Sequence, residues 1–147
     1  MDEYYLTQKT NYFMENKIFA NRLYSLVCRN YPFKTRDQSD FLLNKILEYV
    51  YTNYKEDLTI ERVAEHFSYS KVTISKLFQQ KVKVDFRVFL NNVRADMVHR
   101  MMHDPKYKEW QLLQLVEECG FNSAATFYRS YKRRYGVLPN ADRLGKG

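Results

Sequence analysis

The chain has 147 residues, with 45% hydrophobic and 28% charged, the profile of one globular domain or one domain with an appendage. Four glycines and three prolines exclude collagen-like and linker-like chains and leave too few turn residues for an all-β fold, and no apolar run approaches the roughly 18 residues that span a bilayer. The net charge is +7 and it is uneven: residues 1–40 carry six basic and five acidic side chains, residues 41–147 carry 18 and 12. A basic domain points to an anionic partner, nucleic acid or an anionic membrane surface.

The pattern in chain order is helical throughout. From Asn11 to Asn30, the residues Met14, Ile18, Phe19, Leu23, Leu26 and Val27 recur at helical spacing. Pro32 forces extended geometry on Tyr31, so 31–37 breaks that helix and predicts a boundary. Ser39 or Asp40 caps a second helix with the stripe Leu43, Ile46, Leu47, Val50 and Tyr54. Thr59 caps a short helix over Ile60–Phe67 that buries Val63, Ala64 and Phe67. After the turn Ser68-Tyr69-Ser70, Ser70 caps a helix to about Val82 with Ile74, Leu77 and Phe78 inward. A long helix spans Asp85 to His103, with Phe86, Phe89, Leu90, Val93, Met97 and Met101 as core positions, and Asp104-Pro105 ends it. Trp110–Cys119 is a short helix, Gly120-Phe121-Asn122 a turn and Ser123–Tyr135 a helix closed by Gly136; Pro139 opens a last turn reaching Arg143.

One unit of this pattern occurs twice. Residues 63–69 lie over residues 115–121, and past the turn Ser70 lies over Ser123, Ile74 over Phe127, Lys76 over Arg129, Phe78 over Tyr131 and Val84 over Val137. A short helix, a turn and a second helix is the layout in which the second helix enters the major groove and its first turns touch base edges. Charge follows the layout. Lys71, Lys76, Lys81 and Lys83 lie between Ser70 and Val84 with no acid, and Arg129, Lys132, Arg133 and Arg134 lie between Ser123 and Tyr135 with none. The acids Glu61, Glu65, Glu109, Glu117 and Glu118 fall on the supporting helices. Basic residues therefore gather where phosphate, about one charge per 1.7 Å of duplex axis, would be met.

The run Cys119-Gly120-Phe121, then Thr126 to Pro139 and Arg143, resembles the C-terminal signature of the AraC/XylS family of bacterial transcription regulators, with its Gly-Phe turn, aromatic core pair, basic cluster and Gly-Val-x-Pro ending. Ser70, Ile74, Ser75, Lys76, Leu77 and Phe78 fit the first unit of that family, and Phe89–Arg94 resembles the start of its connecting helix. Ser68 and Lys83 stand where the family often has glycine, and Ala95 and Val98 replace a larger residue and an alanine. The resemblance covers about residues 40–143. It implies an all-α fold of two helix-turn-helix units joined by a long connecting helix, here with an extra N-terminal helix. The expected organisation is an N-terminal helical segment at 1–38, a DNA-binding domain at 39–143 and a frayed tail at 144–147. Within the domain, the helix-turn-helix units lie at about 59–82 and 110–135 and the connecting helix at 85–103. The two units would enter successive major grooves on one face of DNA, about 34 Å apart.

Base contacts carry sequence information and phosphate contacts set register. Lys71, Val72, Ser75 and Lys76 are the expected base readers of the first unit, and Ala124, Ala125, Thr126 and Arg129 those of the second. Arg129 suits guanine, and Ala124, Ala125 and the Thr126 methyl suit thymine methyls. Ser70, Gln79, Ser123, Tyr128, Lys132 and Arg133 are the expected phosphate contacts. Double-stranded DNA is the expected partner; the family resemblance adds RNA polymerase and an activating role, and two cysteines, too few for a disulfide framework, make a reducing cytoplasmic setting the expectation. Residues 1–38 read as a packed helix, a dimerisation helix or the tail of an effector-binding domain. The alternative function is a helical protein-interaction module with an incidental basic face.

No catalytic constellation or phosphate loop points to an enzyme, and no cofactor or membrane partner is expected. Cys28 and Cys119 cannot make a four-ligand zinc site. His99 and His103 are four apart on one helix face, but Asp104 is the sole neighbour in sequence that offers a third ligand, so no metal is expected there.

Overall fold

The computed structural model describes residues 38–145, so the expected helix at 11–30, its break at 31–37 and Cys28 lie outside the described residues. By packing the chain divides into two units, 1–52 and 53–147. Seven α-helices and no strand occur among the described residues.

Helix α1 (Gln38–Asn53) buries Leu43, Ile46, Leu47 and Val50 of the stripe that the sequence lays out, whereas Tyr54, the last of that stripe, is buried just past the helix end. The helix begins at Gln38, so Ser39 and Asp40 stand inside its first turn and neither is the residue that precedes it; Asp40 there still complements the positive end of the helix dipole.

In the second unit, α2 (Ile60–His66) is capped by Thr59, whose hydroxyl accepts the Arg62 N–H at 3.2 Å. Val63 and Ala64 are buried, whereas Phe67 is half-buried, because it is the residue after the helix and leaves its inner face. Helix α3 (Lys71–Leu77) is capped by Ser70 and runs on as a wider π turn over Phe78–Val82. The π turn closes where the Lys83 N–H reaches the Phe78 carbonyl at 2.8 Å, with Lys83 in the left-handed region at φ 69°.

The connecting helix α4 (Phe86–Met102) is capped by Asp85, whose Oδ1 accepts the Val88 N–H at 2.9 Å. Every core position expected on it is buried, and so are Arg94, Ala95, Asp96, Val98 and Met102. The extra burial arises because both helix-turn-helix units pack on α4. Phe78 of the first stands edge-on to Phe86 and Phe89, each ring 5.5 Å away, while Met101 meets Cys119 of the second, sulfur to sulfur at 3.5 Å.

Helix α5 (Leu112–Glu118) starts later than the periodicity predicts, so Glu109 and Trp110 precede it. The Gln111 N–H donates to Gln114 Oε1 at 2.7 Å, a cap that fixes the start. Trp110 packs edge-on against Tyr107 of the 3-10 turn Pro105–Tyr107. Helix α6 (Ala124–Tyr135) ends at Gly136, and α7 (Pro139–Arg143) follows.

The internal repeat recurs bond for bond. In the first helix-turn-helix motif the N–H groups of Phe67, Ser68 and Tyr69 donate to the carbonyls of Val63, Glu65 and Ala64; in the second those of Cys119, Gly120 and Phe121 donate to Leu115, Glu117 and Val116. Ser68 and Gly120 hold the same left-handed position, at φ 60° and 89°. Ser70 accepts from Thr73 N–H at 3.1 Å as Ser123 accepts from Thr126 N–H at 3.3 Å.

Candidate nucleic-acid interface

A cleft of about 650 Å³ lies between the two helix-turn-helix motifs, bordered by Lys71 and Ser75 of α3, by Ser123, the cap of α6, and by Thr126 of α6. A shallower hollow of about 340 Å³ takes in Thr126, Arg129 and Arg133 of α6. Arg87 and Asn91 of the connecting helix line both. The two helices that the sequence marks as base readers therefore open toward one shared space.

Not every predicted contact lines these hollows. Val72 is 60% exposed at the start of α3, and Lys76, Gln79, Ala124, Ala125 and Lys132 are exposed without lining either one. Ser70 and Ser123 spend their side-chain oxygens as caps, and the Ser70 hydroxyl also meets that of Thr73 at 2.8 Å. Tyr128 is half-buried, edge-on to Phe127, and its hydroxyl accepts from Asn140 Nδ2 at 3.5 Å.

Four basic side chains already have contacts inside the protein. Lys71 Nζ pairs with Glu61 Oε1 at 2.6 Å across the two helices of the first unit, and this hydrogen bond holds the Glu61 carboxyl below its ordinary range. Arg129 Nη2 reaches Thr126 Oγ1 at 3.5 Å, and Arg133 Nη2 reaches Asn92 Oδ1 at 3.4 Å. Arg134 is the exception to the charge pattern read from the sequence. Its guanidinium turns back to grip the Asp96 carboxylate through Nε and, at 2.7 Å, Nη2, and the Tyr135 hydroxyl donates to the same carboxylate at 2.6 Å. Arg134 therefore fastens α6 to the connecting helix.

Arg87 and Asn91 escaped the sequence reading. They lie one turn apart on α4, a helix read there as a spacer, and only the folded arrangement puts them between the two recognition helices. The available signal was their spacing at i, i+4, which puts both on one face of the helix.

Comparison with known proteins agrees with this geometry. Residues 63–144 match the family described as a helix-turn-helix domain. The chain is 30% identical over 108 residues to the uncharacterized HTH-type transcriptional regulator YpdC of Escherichia coli K12, covering 74% of this chain and 37% of that protein. It is 29% identical over 106 residues to an uncharacterized HTH-type transcriptional regulator of Staphylococcus aureus, covering 72% of this chain and 14% of that protein. The chain thus spans well under half of these relatives. Among solved structures, an AraC-type transcriptional regulator from Chromobacterium violaceum superposes with a TM-score of 0.65 at 18% identity, over 74% of this chain and 95% of that one. The C-terminal domain of AraT, a response regulator from Geobacillus stearothermophilus, gives 0.61 at 22% identity, over 74% and 88%. These two likenesses concern the fold.

Proposed function

Since the chain belongs to the AraC-type helix-turn-helix family of DNA-binding transcription regulators, we propose that it reads duplex DNA by sequence, with α3 and α6 in successive major grooves on one face of the double helix. The observation that carries this reading is the shared cleft: the first turns of α3 and α6, with Arg87 and Asn91 between them, border one space. Successive major grooves on one face lie about 34 Å apart, the spacing this reading requires of the two helices.

On this reading Lys71, Val72, Ser75 and Lys76 read one groove, and Ala124, Ala125, Thr126 and Arg129 read the next. Ser70, Gln79, Ser123, Tyr128, Lys132 and Arg133 set the register on phosphate, joined by Arg87. Lys71 exchanges Glu61 for DNA on binding, so the supporting helix keeps an acid beside the reader and opposes loose, non-specific attachment. The DNA-binding part runs from 39 to 143, and residues 1–38 supply a dimer contact or the end of an effector-binding domain. Activation through RNA polymerase, in the cytoplasm, completes the proposal. Among the described residues no helix is long and apolar enough to cross a membrane.

Selection of bound sites from random duplexes tests the reading. The expected result is two short blocks one helical turn apart, bound with a steep salt dependence and far above bulk DNA. Binding with no sequence preference, or none at all, would favour the protein-interaction reading.

A further inference from the structure

Behind α6, away from the cleft, three side chains from two elements converge. His99 and His103 sit one turn apart at the end of α4, and Asp142 of α7 lies against both. His99 Nδ1 is 3.1 Å from Asp142 Oδ2, and His103 Nε2 is 3.8 Å from Asp142 Oδ1. One donor atom from each residue lies within 4.8 Å of the other two. The sequence offers Asp104 as third ligand, but its Oδ1 is taken as the cap for the Lys106 N–H at 2.9 Å. Asp142 arrives instead, from 39 residues beyond His103 in the chain.

We propose that His99, His103 and Asp142 are a binding site for one divalent transition-metal ion of the zinc class. Two imidazoles and one carboxylate suit zinc, cobalt or nickel and not the all-oxygen preference of magnesium or calcium. Donors on a tetrahedral zinc stand about 3.3 Å apart, so side-chain adjustments of about an ångström close the three around an ion. Contacts around the site orient its ligands, and the Tyr131 hydroxyl lies 2.8 Å from His99 Nδ1, a contact that an ion would displace. His103 Nδ1 faces the His99 carbonyl at 2.8 Å, and a carbonyl only accepts, so Nδ1 carries the proton and Nε2 presents its lone pair toward Asp142. The His99 ring is held flat against Tyr135, 4.2 Å between centroids and 15° apart, and the Tyr131 hydroxyl donates to Asp142 Oδ2. His103 is exposed, so water or a further donor can fill the fourth position. A bound ion ties α7 to the connecting helix directly behind the second recognition helix.

The test is a titration of the full chain, free of any histidine tag, with Zn²⁺, and with Co²⁺ for its visible coordination spectrum. One ion per chain, a Tm raised by Zn²⁺ but not by Mg²⁺, and a weakening of tenfold or more in His103→Ala and in Asp142→Asn are expected. His66→Ala, on α2, should bind as the parent does. His103 lies at an exposed helix end, so His103→Ala decides should Asp142→Asn fail to fold. Absence of saturable one-to-one binding, or undiminished binding by folded His103→Ala, would show a hydrogen-bonded cluster only and overturn the proposal. Neither result depends on whether the chain binds DNA.

Discussion

The backbone carbonyl of Tyr54 lies 2.8 Å from the point where a Cβ on Gly120 would stand. That same carbonyl accepts the Nε–H of Arg94 at 2.8 Å, and Arg94 Nη2 reaches the Glu56 carbonyl at 2.7 Å. The turn of the second helix-turn-helix motif therefore rests on a backbone segment ahead of the first motif, held by a buried arginine of the connecting helix. Gly120 also has φ 89°, which adds a left-handed cost for any other residue. Gly120→Ala should destabilise by at least about 2 kcal/mol, from left-handed strain plus displacement of backbone. Gly136→Ala, with φ 75° and nothing within 4 Å of its Cβ position, should cost only about 1–2 kcal/mol. Urea titrations of both variants check the order; equal losses would mean that the Tyr54 approach is irrelevant.

Ser68 and Lys83 occupy left-handed backbone at φ 60° and 69° without being glycine. These are the two positions where the sequence departs from the glycines of its family. Lys83→Gly should relieve the strain but raise the entropy of the unfolded chain, which opposes it, for a net gain of up to about 1 kcal/mol. A lower Tm for Lys83→Gly would show that the lysine side chain holds the end of the π turn.

How much could be read without coordinates follows from this pattern. Element order, the caps at Thr59 and Ser70 and most of the apolar stripes are local properties, and among the described residues they appear where the sequence put them; Asp85 and Ser123, read as first helix residues, are caps instead. The start of α5 was misplaced because Trp110 continues the apolar pattern while the Gln111 cap does not advertise itself. Ala95 and Val98, which stand where the resemblance implies other residues, are both wholly buried. What stayed hidden is long-range. The turn of Arg134 to Asp96, the placing of Arg87 and Asn91 between the readers, and the arrival of Asp142 beside His99 all join residues distant in the chain.

Asp96 is 7% exposed and receives Arg134 and the Tyr135 hydroxyl. Asp96→Ala removes both contacts and leaves two polar groups of α6 unpaired. A loss of about 1–3 kcal/mol is expected, held below the fully buried figure because the Arg134 side chain is 38% exposed. Arg134→Ala should weaken DNA binding through a loosened α6 on every sequence alike. A changed preference at one base pair would place Arg134 at the DNA instead.

Cys119 is wholly buried, and burial pushes its thiol from 9.0 up to about 12, against the opposing pull of Lys55 and Arg94; nearby Glu118 adds to the rise. The folded chain should resist alkylation at Cys119 even near pH 9, and react once urea opens it. The sign of the linkage follows. Between 9.0 and about 12 the unfolded chain gives up the thiol proton and the folded chain keeps it. The stability contributed is therefore complete below 9.0 and is lost as pH rises toward 12. Mass spectrometry of the peptide bearing Cys119 measures the first effect and Tm against pH the second. Rapid native alkylation at that peptide would contradict the burial.

Arg129 and Lys132 are both exposed on α6, but only Arg129 borders the hollow that it shares with Arg87 and Asn91. A base reader and a phosphate clamp differ in what their removal does to specificity. Arg129→Ala should lose about 1–3 kcal/mol on the preferred site and relax one base position, since a bidentate guanidinium–guanine contact exists only with the right base. Lys132→Ala should weaken all sequences by a similar factor and lower the salt slope by about one. Titrations on the selected site and on single-base variants, at several salt concentrations, separate the two. A uniform loss for Arg129→Ala would move it to the phosphates, and a position-specific loss for Lys132→Ala would rotate α6 in its groove so that the far end of the helix faces the bases.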